Sequence, residues 1–168
     1  FGSLKIGVIK NIEKLGINED VINAYETSKT VLNGLGHKLI EVDFSELSSG
    51  ICSYYVIAPA ECSSNLSRFD GVKYGYRSEG EKDIANLYMN TRSDGFGDEV
   101  KKRILIGTHV LSAGFYDAYY LQAQKVRRMI KVKFEDFFKD VDLIFMPTTL
   151  DQAFEKNRKS DDPNRMYK

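Results

Sequence analysis

Two short apolar runs with a helix-like stretch between them restrict the fold of this chain more than any other feature. The first is KIGVI at residues 5–9, a run suited to a strand buried on both faces. Asn18 can cap a helix, and Glu19 and Asp20 suit its positive end. Ile22, Tyr25, Leu32 and Leu35 then fall roughly on one face. Gly34 or Gly36 stops the helix, because glycine accepts the left-handed conformation that follows one. The second run, HKLIEVDF at 37–44, alternates Ile40, Val42 and Phe44 with polar neighbours. Strand, helix and strand of these lengths make a βαβ unit, a parallel pair joined by a right-handed crossover.

The middle of the chain reads as helical. One helix is predicted over 81–91. A second starts at Asp98, with Val100, Ile104, Gly107 and Leu111 on one stripe. The longest is predicted over 116–138, where Tyr119, Ala123, Val126, Ile130, Phe134 and Phe137 recur about once per turn. A third buried strand is predicted over 141–146 (VDLIFM). Pro147 ends it, since proline lacks the amide hydrogen that a central ladder needs. Thr148 and Thr149 then begin a loop at the edge where open α/β sheets place ligands. Residues 151–168 are polar and read as loop. No internal repeat is visible.

Composition narrows the function classes. The chain has 168 residues, 42% apolar and 29% charged, which suits one globular domain or a large piece of a bigger one. Lys+Arg and Asp+Glu both count 24, so there is no net basic field for capturing nucleic acid. No apolar run approaches the ~20 residues that span a bilayer, and the start lacks the pattern of a signal peptide. Cys52 and Cys62 are too few for a disulfide scaffold and match no metal motif. A reduced, cytoplasmic protein is the simplest reading. Cys62 is read as a small buried filler rather than a reactive thiol. The ends suggest a fragment: the chain starts without Met, enters a strand within a few residues, and stops after a turn with no terminating helix.

The segment at 54–76, YYVIAPAECSSNLSRFDGVKYGY, carries more than packing requires. Its apolar start suits a core, but Arg68, Asp70, Gly71, Lys73, Tyr74 and Gly75 suit a surface. No complete catalytic constellation accompanies it. His37 opens a strand and His109 sits in an apolar helix, so a satisfied structural histidine is favoured for each. Ser48, Ser49 and Gly50 have no evident general base nearby and read as a plain loop. Gly95-Phe96-Gly97 reads as a turn leading into a helix, not a phosphate loop. Lys125, Arg127, Arg128, Lys131 and Lys133 form a basic stretch that suits either RNA or an acidic partner, or else an ordinary solvated face, given Glu135, Asp136 and Asp140 after it. Arg103 follows Lys101 and Lys102 beside the apolar stripe. Its planar fork suits a carboxylate in a cleft. On spacing alone, a solvated helix charge is the favoured reading.

Four stretches resemble one family: SYYVIAPAECSSNLSRFDGVKYGYR at 53–77, TRSDGFGDEVKKRILIGTHVLSAGFYDAYYLQAQKVRRMI at 91–130, VDLIFMPTT at 141–149 and DDPNRMY at 161–167. They are similar to the A subunits of glutamyl-tRNA(Gln) amidotransferases, a branch of the amidase signature family. The resemblance covers nearly the whole chain, and SRFDG…YG and RSDGFGDEVKKRI discriminate best. It implies an α/β/α fold with a mixed, largely parallel sheet and long helices. Residues 1–168 would be a single partial amidase domain from the C-terminal half of the catalytic domain, truncated at both ends.

The resemblance also implies a mechanism. A serine attacks the side-chain amide of L-glutamine, helped by a second serine on a cis peptide and by a lysine. The acyl-enzyme is hydrolysed and ammonia passes to a B subunit, where ATP and Mg2+ activate the glutamate of misacylated Glu-tRNA(Gln). A small C subunit joins the two. The Gly/Ser-rich segment with the lysine and both serines lies upstream in the family, and nothing in this sequence matches it. No catalytic residue, metal ligand or cofactor of its own is therefore expected in these residues. The substrate side carries over: Arg103 matches the arginine that grips the substrate α-carboxylate, and Tyr54 matches a tyrosine lining that pocket. The acidic residue for the substrate amine would fall just beyond Lys168. Two other readings stand beside this one. One is a monofunctional amidase of the same fold. The other is a non-catalytic α/β interaction domain. A receiver domain would carry an acidic pocket after its first strand, where this chain has Lys10-Asn11-Ile12.

Overall fold

The computed structural model describes residues 2–80, 83–153 and 156, without the side chain of Glu46. The chain divides into two compact units, Phe1–Ile51 with Met129–Lys168, and Cys52–Arg128.

The first unit holds the predicted βαβ. Strand β1 (Lys5–Ile9), helix α1 (Glu19–Gly34) and strand β2 (Lys38–Val42) follow in order. Strand β3 (Leu143–Phe145) lies on the other side of β1, giving the order β2-β1-β3 with both pairs parallel. Ile6 faces Leu39 on one side and Leu143 on the other, which fixes the register. A central strand needs apolar side chains on both faces. Ile6, Val8 and Ile9 are accordingly buried, forming a core with Ile12 and Tyr25 against Leu32, Leu39, Phe44 and Phe145.

Local chemistry sets the boundaries. The Asn18 carboxamide oxygen accepts from the Asp20 amide at 2.9 Å, the expected N-cap. At the other end Gly36 has φ +85, the left-handed turn that ends the helix. Leu35 does not join the core face as expected. It is the C-cap residue, where the chain already leaves the helix, and is 68% exposed. β3 is shorter than predicted. The Asp142 carboxylate instead accepts from the Lys5 amide at 2.8 Å, where the Lys5 carbonyl receives the Asp142 amide. The Ser48-Ser49-Gly50 loop is also corrected. Ser45–Ser49 is a 3-10 helix running into helix α2 (Gly50–Leu66). The Asp43 carboxylate starts it by accepting from the Ser45 amide at 2.9 Å, and that bond holds its carboxyl below the usual range. His37 is structural, its Nδ1 accepting from the Leu4 amide at 3.3 Å.

One side chain closes the sheet where β3 runs out. The Tyr25 hydroxyl accepts from the Ile9 amide at 2.8 Å and donates to the Phe145 carbonyl at 3.1 Å, with its ring stacked on Phe145. Phenylalanine at this position would leave both backbone groups unpaired in a dry place. Tyr25→Phe is expected to cost the intact protein about 1–3 kcal/mol, read as a lower melting temperature. An unchanged melting temperature would show that water or a backbone shift replaces the hydroxyl. Beyond β3, the loop with Thr148 and Thr149 returns to α1: the Asn18 amide donates to the Leu150 carbonyl at 2.8 Å, and its side chain donates to Asp151 at 3.0 Å. Residues 154, 155 and 157–168, in the stretch read as loop, lie outside the described residues.

The second unit is helical. After most of α2 come α3 (Ile84–Gly95), α4 (Asp98–Val110), a π-helical segment (Tyr116–Leu121) and the start of α5 (Gln122–Asp140). α3 begins later than predicted because Asp83 caps it, accepting from the Asn86 amide at 2.9 Å. Residues 81 and 82 lie outside the described residues. The single long helix expected over 116–138 is instead two segments, and the π-helical turn puts Tyr119 among the exposed aromatics rather than on the buried stripe of Ala123. Gly95-Phe96-Gly97 is the predicted turn into a helix: Gly95 closes α3 and Gly97 is the N-cap of α4. His109 is exposed, with its ring 4.2 Å from that of Phe115. Cys52 is exposed and Cys62 half-buried, so neither is the fully buried filler expected of Cys62, and neither forms a disulfide. Among the described residues no helix is long and apolar enough to cross a membrane.

Candidate functional site

The site grows from the way α2 meets its neighbours. At the C-terminal end of α2, Arg92 of α3 donates to the carbonyls of Leu66 at 2.8 Å and Phe69 at 3.0 Å. Leu66 is the last residue of α2 and Phe69 lies in the turn after it, and the Leu66 carbonyl also accepts from the Phe69 amide at 3.2 Å. The SRFDG stretch that follows is built as a turn. The Asp70 carboxylate accepts from the amides of Val72 at 2.8 Å and Lys73 at 3.2 Å, and these bonds hold its carboxyl below the usual range. Gly71 has φ +78 and lies so close to Thr91 that a Cβ would sit 2.7 Å from its methyl carbon. Thr91 in turn accepts from the Ser78 amide at 3.0 Å. Gly71 and the Leu66 and Phe69 carbonyls are thus where this segment meets α3, while Asp70 braces the turn from within.

α2 and α4 cross at backbone contact. A Cβ on Gly107 would overlap the Pro59 carbonyl oxygen. Beyond the crossing, the hydroxyls of Ser63 and Thr108 are 2.9 Å apart. Before it, Tyr54 and Arg103 meet. These contacts follow the same order along both helices, so the two run past each other in the same sense. Pro59 lies inside α2 with its side chain fully buried at this crossing.

Tyr54 and Glu99 both hold Arg103. One terminal guanidinium nitrogen, Nη1, donates to the Tyr54 hydroxyl at 2.7 Å, and Nε donates to Glu99 at 3.0 Å. The guanidinium carbon lies 5.8 Å from the Tyr54 ring centroid. Tyr55 meets the Tyr54 ring edge-on at 5.4 Å. The Arg103 side chain is 23% exposed and Tyr54 46%. Of its sequence neighbours, Lys101 is half-buried, pairing with Asp98 at 3.1 Å and donating to the Ser93 carbonyl at 3.2 Å, and Lys102 is exposed. The structure thus brings together the two residues expected to line a substrate pocket, and of the three adjacent cations only Lys102 is exposed. A half-buried guanidinium with a fixed plane is suited to gripping a carboxylate.

Sequence reasoning passed over Glu99. Its signal was the i, i+4 spacing to Arg103, which places both on one helix face. It also passed over Tyr120, whose hydroxyl donates to Glu61 at 3.0 Å. Burial, then that bond, pushes the phenol above its usual range. A depression of about 280 Å3 is lined by Arg77, Ser78, Glu79, Gly80 and Leu87, and neither Arg103 nor Tyr54 borders it. Among the described residues no group of three or more His, Cys, Asp or Glu side chains is placed to hold a metal ion. The basic stretch on α5 has local partners: Lys131 lies 3.5 Å from Glu135, and Lys133 sits over the Phe137 ring at 5.8 Å.

The sequence matches the Amidase family over residues 2–168, and the chain belongs to that family. Within it, the chain is similar to the A subunit of the glutamyl-tRNA(Gln) amidotransferase of Hahella chejuensis, with 51% identity over 162 residues, which is 96% of this chain and 34% of the relative. The protein of the same name from Cellvibrio japonicus is 52% identical over 164 residues, covering 98% of this chain and 34% of the relative. The chain therefore spans about a third of the length of the curated relatives it matches. A crystal structure of the corresponding A subunit from Thermotoga maritima superposes with a TM-score of 0.64 at 33% identity, covering 98% of this chain and 30% of that one. The α/β architecture described above is thus that of part of an amidase fold.

Proposed function

We propose that this chain is part of the glutamine-hydrolysing A subunit of a tRNA-dependent amidotransferase, which converts Glu-tRNA(Gln) to Gln-tRNA(Gln). The observation that carries the reading is the 51% identity, over 96% of the chain, to a relative bearing that subunit's name. The geometry supports a role within it: residues 1–168, as one partial amidase domain, supply one wall of the L-glutamine pocket. Arg103 grips the α-carboxylate of glutamine, and Tyr54 lines the pocket and steadies the guanidinium from the side. The serine, cis-serine and lysine that attack the amide belong to a segment outside these residues, so the chain alone is inactive. Ammonia passes to a B subunit, which uses ATP and Mg2+, and a C subunit joins the two in the cytoplasm.

The test is reconstitution. The full-length protein, combined with B and C subunits, is expected to form Gln-tRNA(Gln) from Glu-tRNA(Gln), glutamine and ATP. Amide hydrolysis with no tRNA-linked product would favour a monofunctional amidase. Absence of any amidase activity, with retained capture of acidic partners, would favour an interaction domain.

A further inference from the structure

The Arg103–Tyr54 contact has a third member, and the geometry points to Glu99 as the positioning residue that sets the plane of the Arg103 guanidinium for the substrate carboxylate. This rests on the reading of Arg103 as the carboxylate-binding group. Two observations support it. Glu99 lies one turn before Arg103 on α4, and its carboxylate accepts from Nε at 3.0 Å. Tyr54 takes Nη1 from a different helix at 2.7 Å. Two anchors on two nitrogens leave a flat group little freedom to rotate. The anchors also differ in kind. Glu99 and Arg103 share a helix, so their spacing is fixed by its pitch. Tyr54 depends on how α2 lies against α4.

A carboxylate beside an arginine has two opposite consequences, and they can be separated. As a positioning group, Glu99 holds Nε so that the terminal nitrogens present a fixed direction, and its loss weakens binding. As a competitor, it neutralises the cation and its loss strengthens binding. The positioning consequence is the greater here. Glu99 is 56% exposed at its side chain, so water screens its charge, whereas the bond to Nε is directional and well formed.

Steady-state glutaminase kinetics of the complete amidotransferase carrying Glu99→Ala, Glu99→Gln or Arg103→Ala test this. Glu99→Ala is expected to raise the glutamine KM about 10-fold while kcat falls less than 2-fold and the melting temperature holds. Glu99→Gln keeps an acceptor for Nε without charge and is expected to restore KM to within about 3-fold of the parent. A merely structural role would lower kcat and melting temperature together and would not be rescued by glutamine. An unchanged or lowered KM in both Glu99 variants, while Arg103→Ala still raises it, overturns the positioning role alone. An unchanged KM in Arg103→Ala overturns the underlying reading of the pocket instead.

Discussion

Gly107→Val in the full-length protein is expected to unfold at clearly lower temperature and to lose glutamine affinity at the same time. Two effects oppose each other here. Glycine inside a helix costs about 1 kcal/mol relative to alanine, so any side chain should help α4 by itself. Against that, the first carbon of the side chain would overlap the Pro59 carbonyl oxygen. A flexible side chain could swing away, but a carbonyl fixed in α2 cannot, and the helices must separate. Overpacking of this kind costs about 1–3 kcal/mol, sometimes more. The crossing wins, and the net change is destabilising. Arg103 is one turn before Gly107, and Tyr54 is five residues before Pro59. Separation of the helices therefore also lengthens their 2.7 Å bond. Gly107→Ala gives the same sign with smaller size and serves where the valine variant does not fold. A melting temperature equal to or above the parent's in Gly107→Ala would show that the helices part without cost.

Arg103→Ala is expected to cut kcat/KM for glutamine about 10- to 100-fold and to leave the fold intact. A lost charge-assisted hydrogen bond is worth roughly 1.5–3 kcal/mol, and each 1.36 kcal/mol is tenfold in rate. Stability should change little, because the Glu99 partner is an exposed i, i+4 pair. Arg103→Lys should recover only part of the loss, since an ammonium lacks the planar fork and does not match the separated positions of Tyr54 and Glu99. Glutamine kinetics and melting temperature of the three proteins decide it. A Michaelis constant and turnover matching the parent in Arg103→Ala would remove this residue from the pocket.

How much of this was legible in the sequence depends on how local the cause is. The cap at Asn18 and the left-handed Gly36 are set by their own segment, and both ends of α1 are readable from it. β1, β2 and their parallel pairing follow from run length and the connection between them. Sequence and structure part where a short polar side chain redirects the backbone. Asp83 delays α3, and Asp43 turns a serine-rich stretch into a 3-10 helix. The π-helical turn at Tyr116–Leu121 breaks a stripe that a regular period would have carried through. Gly107 falls on the right stripe of α4, but its use needs the partner helix, which no single-helix pattern reveals. Arg103 is the sharpest case. Spacing favours a solvated charge, and only the family resemblance moves it to a pocket. The bond to Tyr54, 49 residues away in sequence, is a tertiary fact.

The Tyr25 hydroxyl has an alkaline consequence. It uses its one proton on the Phe145 carbonyl and its lone pair on the Ile9 amide, so the phenolate form cannot serve both strands. Burial raises the pKa of this group above the ordinary phenol value. An unfolded chain therefore releases the proton first as pH rises. The hydroxyl's contribution is complete below the ordinary phenol pKa and fades as pH climbs toward the raised folded value. Base, rather than acid, is the condition under which this end of the sheet begins to let go of its shortest strand.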